Sequence, residues 1–210
     1  MTRSAHQTTE PTILLLAAGE ASRMRGGDKL LEEIDGVPLL RKLTTDARSV
    51  ADNVLVCLRE EDDPRRSVLD DLNCRFVAVP DASKGMAHSL RAGVAELSTT
   101  TTAVMVVPAD MPDITRADLA KMLRSHQDQP EAILRATTKD QQAGHPVLFP
   151  KRLFGALEKL SGDVGAREVL RRHANEIQRV QLPGTNALTD LDTPEDWLEW
   201  RQNRLKEKGP

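Results

Sequence analysis

The chain lacks any apolar run long enough to cross a bilayer. The longest near its start, "ILLLAA", is far short of the roughly 20 residues a spanning helix needs. The opening "MTRSAHQTTEP" has no apolar core of the kind a signal peptide carries. Residues 1–11 are therefore expected to form a flexible tail, with a cytoplasmic location and no membrane partner. Cysteine is scarce. Cys57 and Cys74 match no metal-binding spacing and give no disulfide framework, which fits a reducing interior. Charge of one sign is not in excess: 29 basic residues face 32 acidic ones, for a formal net charge of −3. That balance excludes the broad basic field of a nucleic-acid-binding protein. No internal repeat or low-complexity linker divides the 210 residues, a length that favours one domain.

What is present is alternation. Short β-rich runs, "TILLL", "NVLVCL", "CRFVAV" and "TTAVMVV", alternate with segments of helical length. Among the latter, "PLLRKLTTDARSV" and "GMAHSLRAGVAEL" carry apolar residues at helical spacing, and "DDPRRSVLDDL" has a proline near its start. Thr115, with Asp118 three residues on, and Thr193, with Asp196 three on, read as capped helix starts. Such a pattern predicts an α/β fold: a Rossmann-like, mostly parallel sheet flanked by helices. The second part is less regular. "EAILRAT" and "EIQRVQL" read as strands, "AGHPVLF" as a loop feeding another, and "PKRLFGALEKL", "DVGAREVLRRH" and "TPEDWLEWRQNRL" as helices.

In open α/β sheets ligands bind beyond the C-terminal ends of the strands. "LAAGEASRMRGGDK" begins at such an end. Ala17, Ala18 and Gly19 allow close backbone approach, Arg23, Arg25 and Lys29 offer charged donors, and Gly26 and Gly27 allow a sharp turn. The segment matches neither a Walker A loop, since Lys29 precedes Leu30, nor a G-x-G-x-x-G fingerprint. It reads either as a phosphate cradle or as a glycine-rich surface turn.

Acids stand at other segment ends. Asp110, in "VMVVPADMPDI", follows a strand and could hold Mg²⁺ through hard oxygen ligands, or could simply cap a turn. Asp113 reads more readily as a cap. Asp190 and Asp192 alternate along an extended stretch, so they share one face and either could be a second metal ligand. His145, between Gly144 and Pro146, is a candidate for contact with an acceptor.

Together "LLLAAGEASRMRGGDKLL", "VPADMPDI", "GHPVLF", "GDVGAREVL" and "DLDTPEDW" resemble the sugar-nucleotide-type nucleotidyltransferases over about residues 12–200. Within them the chain is most similar to the molybdenum cofactor nucleotidyltransferases, and to their molybdopterin cytidylyltransferase branch. The resemblance implies a nucleotide-diphospho-sugar transferase type of fold. It implies one nucleotidyltransferase domain over 12–205, with a nucleotide-binding half (12–125) and an acceptor-binding half with a C-terminal helix (126–205). It implies transfer of CMP from CTP to the phosphate of molybdopterin, with Mg²⁺ and release of pyrophosphate. Carried over, Ala17, Ala18, Gly19, Arg23 and Lys29 steady the triphosphate, and Asp110 with Asp192 or Asp190 holds the metal. Asp81 and Ser89 fall on the nucleoside side; His145, Gly162, Asp163, Gly165 and Arg167 fall on the acceptor side. A transient contact with a molybdoenzyme or its chaperone is also expected.

The CTP expectation leans on Ala18, where guanylyl-transferring relatives typically carry glycine. One departure stands out, in that Arg25 intervenes where relatives often read Arg-Met-Gly. The alternatives are a GTP-dependent guanylyltransferase of the same cofactor, a cytidylyl- or uridylyltransferase acting on a sugar or polyol phosphate, and a cofactor-holding protein without catalysis.

Overall fold

The computed structural model describes residues 10–60, 63–161 and 165–208. The expected tail (apart from residues 10 and 11), Gly162 and Asp163 lie outside the described residues.

The apolar runs form strands where expected. β1 (Thr12–Leu16) leads into the glycine-rich loop, which contains a 3₁₀ turn at Ser22–Met24. A small hairpin follows, β2 (Glu33–Ile34) and β3 (Val37–Pro38), then α1 (Leu39–Arg48), β4 (Asn53–Leu58) and β5 (Arg75–Ala78). Next come α2 (Met86–Ala95), β6 (Ala103–Pro108) and α3 (Arg116–Asp128). The second part runs β7 (Ile133–Thr137), β8 (Ala143–Pro150), α4 (Phe154–Leu157), α5 (Arg167–Arg172), β9 (Ile177–Gln181) and α6 (Pro194–Lys208).

One sheet of seven strands, ordered β5-β4-β1-β6-β8-β7-β9, spans both parts. β8 alone runs against its neighbours, β6 and β7; the other pairings are parallel. This is the α/β, Rossmann-like fold that alternation predicted. Successive strand residues face opposite sides. Ile13 and Leu15 join a core with α1, α3 and Trp197 of α6; Leu14 joins a second core with α2, α4 and α5. Each fully buried leucine contributes about 1.5–3 kcal/mol relative to exposure, so these faces fix the strand register. A side chain at Gly93 would meet the Leu14 side chain at 2.5 Å, so glycine lets α2 lie close to β1 without displacing that buried leucine.

The predicted capping boxes form: Asp118 N–H donates to Thr115 Oγ1 and Asp196 N–H to Thr193 Oγ1, with each aspartate accepting from its threonine's backbone. Two expectations differ. "AGHPVLF" is strand throughout rather than a loop, because it is the antiparallel bridge between β6 and β7. "DDPRRSVLDDL" is not an α-helix but a 3₁₀ segment, Pro64–Leu69, started by Asp63, whose carboxylate accepts from Arg65 N–H.

Candidate active site

The strand order reverses direction at β1: β4 and β5 are added on one side, β6 on the other. A crevice opens beyond the C-terminal ends of strands at such a switch point. Leu16 pairs with Pro108, and Ala109 N–H donates to Leu16 O, so the glycine-rich loop and Asp110 leave the sheet side by side. A third segment joins them, since Leu191 N–H donates to Asp110 O. Gly144 permits that approach. A side chain there would strike Ala187 O at 1.8 Å, while His145 N–H donates to the same carbonyl.

Three distant stretches thus meet at one ammonium. Lys29 Nζ donates to Asp110 Oδ2 and to Asp192 Oδ1, each at 2.6 Å. Arg23 Nη1 reaches the other oxygen of Asp192 at 2.9 Å. Burial alone would lower the Lys29 pKa, but the charge and hydrogen bonds of Asp110, then Asp192, raise it above the ordinary lysine value. Lys29 is therefore a fixed positive charge. Asp190 is exposed on the flank of the cluster. Although the residue is exposed, partial desolvation of its carboxyl, then the charges of Asp110 and Asp192, raise its pKa.

Asp192 rather than Asp190 makes the direct contact. Among the described residues no group of three or more His, Cys, Asp or Glu could hold an ion. Lys29 stands between Asp110 and Asp192, two of the expected metal-holding residues.

Arg25 finds a simple account. It sits in the left-handed conformation (φ 52°) after the 3₁₀ turn, ahead of Gly26 (φ 99°), and its guanidinium pairs with Glu195 at 2.7 Å. The extra residue completes the turn and ties it to α6. Ala17 is likewise spoken for, because its N–H donates to Cys57 O. Asp81 is exposed and pairs with Lys84 at 2.7 Å, which, ahead of the weaker effects of His88 and Arg91, lowers its pKa. Ser89 is buried in α2. Neither bonds to the Lys29 cluster.

On the other side of β6 lies a cavity of about 180 Å³ with an apolar floor that includes Leu16, Val106 and Val147, and with Arg135, His145 and Arg167 on its walls. His145 Nδ1 is buried with no hydrogen-bond partner among the described residues. Burial, then the Arg135 guanidinium, push the His145 pKa down to about 4, with Asp110 opposing. Its imidazole is neutral at pH 7. The structure thus places His145 and Arg167 on one cavity and adds Arg135.

Arg65 was not anticipated. Its side chain is 0% exposed, yet it is charged. Nε and Nη2 donate to the two carboxylate oxygens of Asp28 (2.6 and 3.0 Å), and Nη1 donates to Ala17 O and Gly19 O (2.5 and 2.8 Å). Arginines are rarely buried, and "DDPRRSVLDDL" offers no sign of which of its arginines turns inward. The one cue is Asp63–Pro64, which starts a tight turn at that point.

A family described as the MobA-like NTP transferase domain matches residues 13–177. The chain is 26% identical over 203 residues to a probable molybdenum cofactor guanylyltransferase of Natronomonas pharaonis (93% of this chain, 98% of that one). It is 30% identical over 189 residues to a molybdenum cofactor guanylyltransferase of Pseudomonas aeruginosa strain LESB58 (88% and 91%). Among solved structures, Rv0371c of Mycobacterium tuberculosis H37Rv superposes with a TM-score of 0.79 at 25% identity, covering 90% of this chain and 95% of that one. The chain belongs to the MobA-like NTP transferase family and is a nucleotidyltransferase with the Rossmann-like fold of the nucleotide-diphospho-sugar transferases.

These relatives overturn the cytidylyltransferase expectation, and with it CTP as substrate: the curated proteins matched over nearly their whole length are guanylyltransferases. The physical reason lies at Ala18. Ala18 is 1% exposed and belongs to the buried cluster that includes Leu14, Leu90 and Val106, so the choice of alanine there reports on the core beneath the loop rather than on a base.

Proposed function

We propose that this protein transfers GMP from GTP to the phosphate of molybdopterin, the organic part of the molybdenum cofactor, and releases pyrophosphate. The observation that carries the reading is the Lys29–Asp110–Asp192 cluster at the switch point, where a loop, a strand tip and a C-terminal segment converge on one charge. The base and the acceptor follow the guanylyltransferase relatives.

In this reading an oxygen of the acceptor phosphate attacks the α-phosphorus of GTP. The new P–O bond forms as the bond from the α-phosphorus to the bridging oxygen breaks, and pyrophosphate takes that electron pair. The protein contributes position and charge. Gly19, Arg23 and Lys29 face the triphosphate, with Ala18 at the loop's base. Lys29 exchanges a carboxylate for phosphate oxygens. Asp81 and Ser89 belong to the nucleoside side of the proposal, His145 and Arg167 to the acceptor side. Residues 12–125 form the nucleotide half and 126–205 the acceptor half.

A divalent cation, Mg²⁺ by default, is the finer part of the proposal. Asp110 and Asp192 already hold a cation, the Lys29 ammonium, between two hard oxygens, and such donors suit the metal. Bound there, it would offset charge on the departing pyrophosphate. Reaction in the cytoplasm and delivery of the product to a molybdoenzyme or its chaperone complete the reading.

The test is turnover of the full chain with GTP, CTP, ATP or UTP and molybdenum cofactor, with and without Mg²⁺. Pyrophosphate and product mass are recorded. The expected outcome is a GMP adduct from GTP in the presence of Mg²⁺. Pyrophosphate release with another nucleotide but not GTP would sink it.

A further inference from the structure

We propose that Arg65 is a positioning residue, which holds both ends of the glycine-rich loop so that its amides and Lys29 are set to receive a triphosphate. The proposal rests on the nucleotidyl-transfer reading above and adds a residue that touches no substrate.

A guanidinium removed from water is strongly destabilising unless its N–H groups are satisfied and its charge is countered. Arg65 is fully buried, and its partners come from the two ends of one loop. At the first end are the carbonyls of Ala17 and Gly19. At the second is Asp28, bound by both its carboxylate oxygens, in the fork geometry that lysine cannot reproduce. Residues 17 and 28 are thus clasped by one rigid planar group reaching in from the segment after β4.

Two consequences follow from peptide geometry. In a trans peptide the carbonyl of one residue and the N–H of the next point in opposite directions. The only cis peptide among the described residues is His145–Pro146. Drawing Ala17 O and Gly19 O onto Arg65 therefore turns the N–H groups of Ala18 and Glu20 away from it. Ala18 is still buried, whereas the chain becomes exposed at Gly19 and Glu20, so it is the Glu20 amide that is turned out where the loop leaves the core. At the other end Asp28 is bonded twice over, since its Oδ1 also accepts from Leu30 N–H. Lys29 lies between those two anchored residues. Its backbone cannot drift, and its ammonium is held within reach of Asp110 and Asp192. One buried side chain thereby fixes the neutral donors and the charged donor together, before any ligand arrives.

The experiment compares wild type with Arg65→Lys, which keeps the charge but loses the fork, and with Asp28→Asn, at a partly exposed partner, which keeps an acceptor oxygen for the guanidinium but removes its countercharge; circular dichroism checks that each variant is folded. Each is titrated calorimetrically with GTP and with inorganic tripolyphosphate, and KM is measured for GTP and for the acceptor. Arg65→Lys is expected to weaken both ligands and raise the GTP KM roughly 10–100-fold, the scale of an ångström-level misplacement, with the acceptor KM unchanged. Asp28→Asn should do the same to a smaller extent, and carries the test if Arg65→Lys does not fold. Folded variants that bind tripolyphosphate as wild type does would overturn the proposal, as would an equal rise in both KM values. If wild type binds tripolyphosphate but not GTP, and the variants lose tripolyphosphate, the guanylyl reading fails and the role of Arg65 stands. Wild type that binds neither overturns both.

Discussion

Two basic regions flank β6, and they treat their charge in opposite ways. At the tips of β1 and β6, Arg23, Arg25 and Lys29 each hold a carboxylate: Asp192, Glu195, and Asp110 with Asp192. Across the sheet, Arg135, Arg167 and Arg179 crowd one another closely enough that Arg135 is pushed down in pKa, by burial first and then by its two neighbours. Among the described residues none of the three has a carboxylate within ion-pair distance. Arg135 bonds only the carbonyls of Gly144 and Ala143, and Arg179 only the Gln141 side chain. The first region is neutralised in advance and must exchange partners when a polyanion binds. The second, among the described residues, keeps its positive charge without a paired carboxylate, over an apolar floor. The contrast suits a transferase that handles two anions: a mobile triphosphate that must be admitted and partly released, and an acceptor phosphate that must be held still.

The contrast breaks most visibly at Lys29. Lys29→Ala leaves Asp110 and Asp192 facing each other with their shared cation removed, and takes a point charge from the phosphates. A loss of about 100–1000-fold in kcat/KM for GTP is expected, the scale of removing one transition-state donor. Steady-state guanylyl transfer measures it, and a change below threefold would place Lys29 outside the reaction.

His145 probes the second region through stability. Its pKa is about 4 in the fold against 6.5 for the free side chain, so the unfolded chain binds its proton first as pH falls. The neutral imidazole therefore contributes stability that is fully present above pH 6.5 and is lost between 6.5 and 4, up to about 3 kcal/mol. Urea unfolding at pH 7 and pH 4.5 should show a smaller acid loss for His145→Gln than for wild type. Equal losses would mean that His145 is solvated.

The smallest effect sharpens the division of labour. Arg135→Ala should raise the acceptor KM about tenfold, the worth of one charge-assisted contact, and leave the GTP KM alone. A shift in the GTP KM instead would merge the two regions into one site.

Much of this arrangement was legible in the chain. The strand run "TILLL" ending in Ala17-Ala18-Gly19 located the loop, and the strand "TTAVMVV" located Asp110, because both follow from periodicity and from the rule that ligands sit past strand ends. The Thr115 and Thr193 caps were equally local. Arg65 was not legible. Its role depends on turning inward beneath a loop some forty residues earlier in the chain, and its neighbour Arg66, with the same local sequence, instead lies over the Phe76 ring. Ala18 misled for a related reason: sequence shows a small residue in a binding loop, while packing decides whether its methyl faces ligand or core.

The sequence by itself determined most of the strands and helices, where the capped helices begin, and that a small-residue loop with Lys29 must follow the first strand. These are matters of residue spacing and backbone propensity over a few turns. Only the tertiary structure decided that Asp192 rather than Asp190 meets Lys29, that Arg135 joins His145 and Arg167, and that Arg65 clasps the loop. Those pairings join separate segments of the chain, and a charged side chain's partner is set by which neighbours the packed sheet brings within a few ångströms of it.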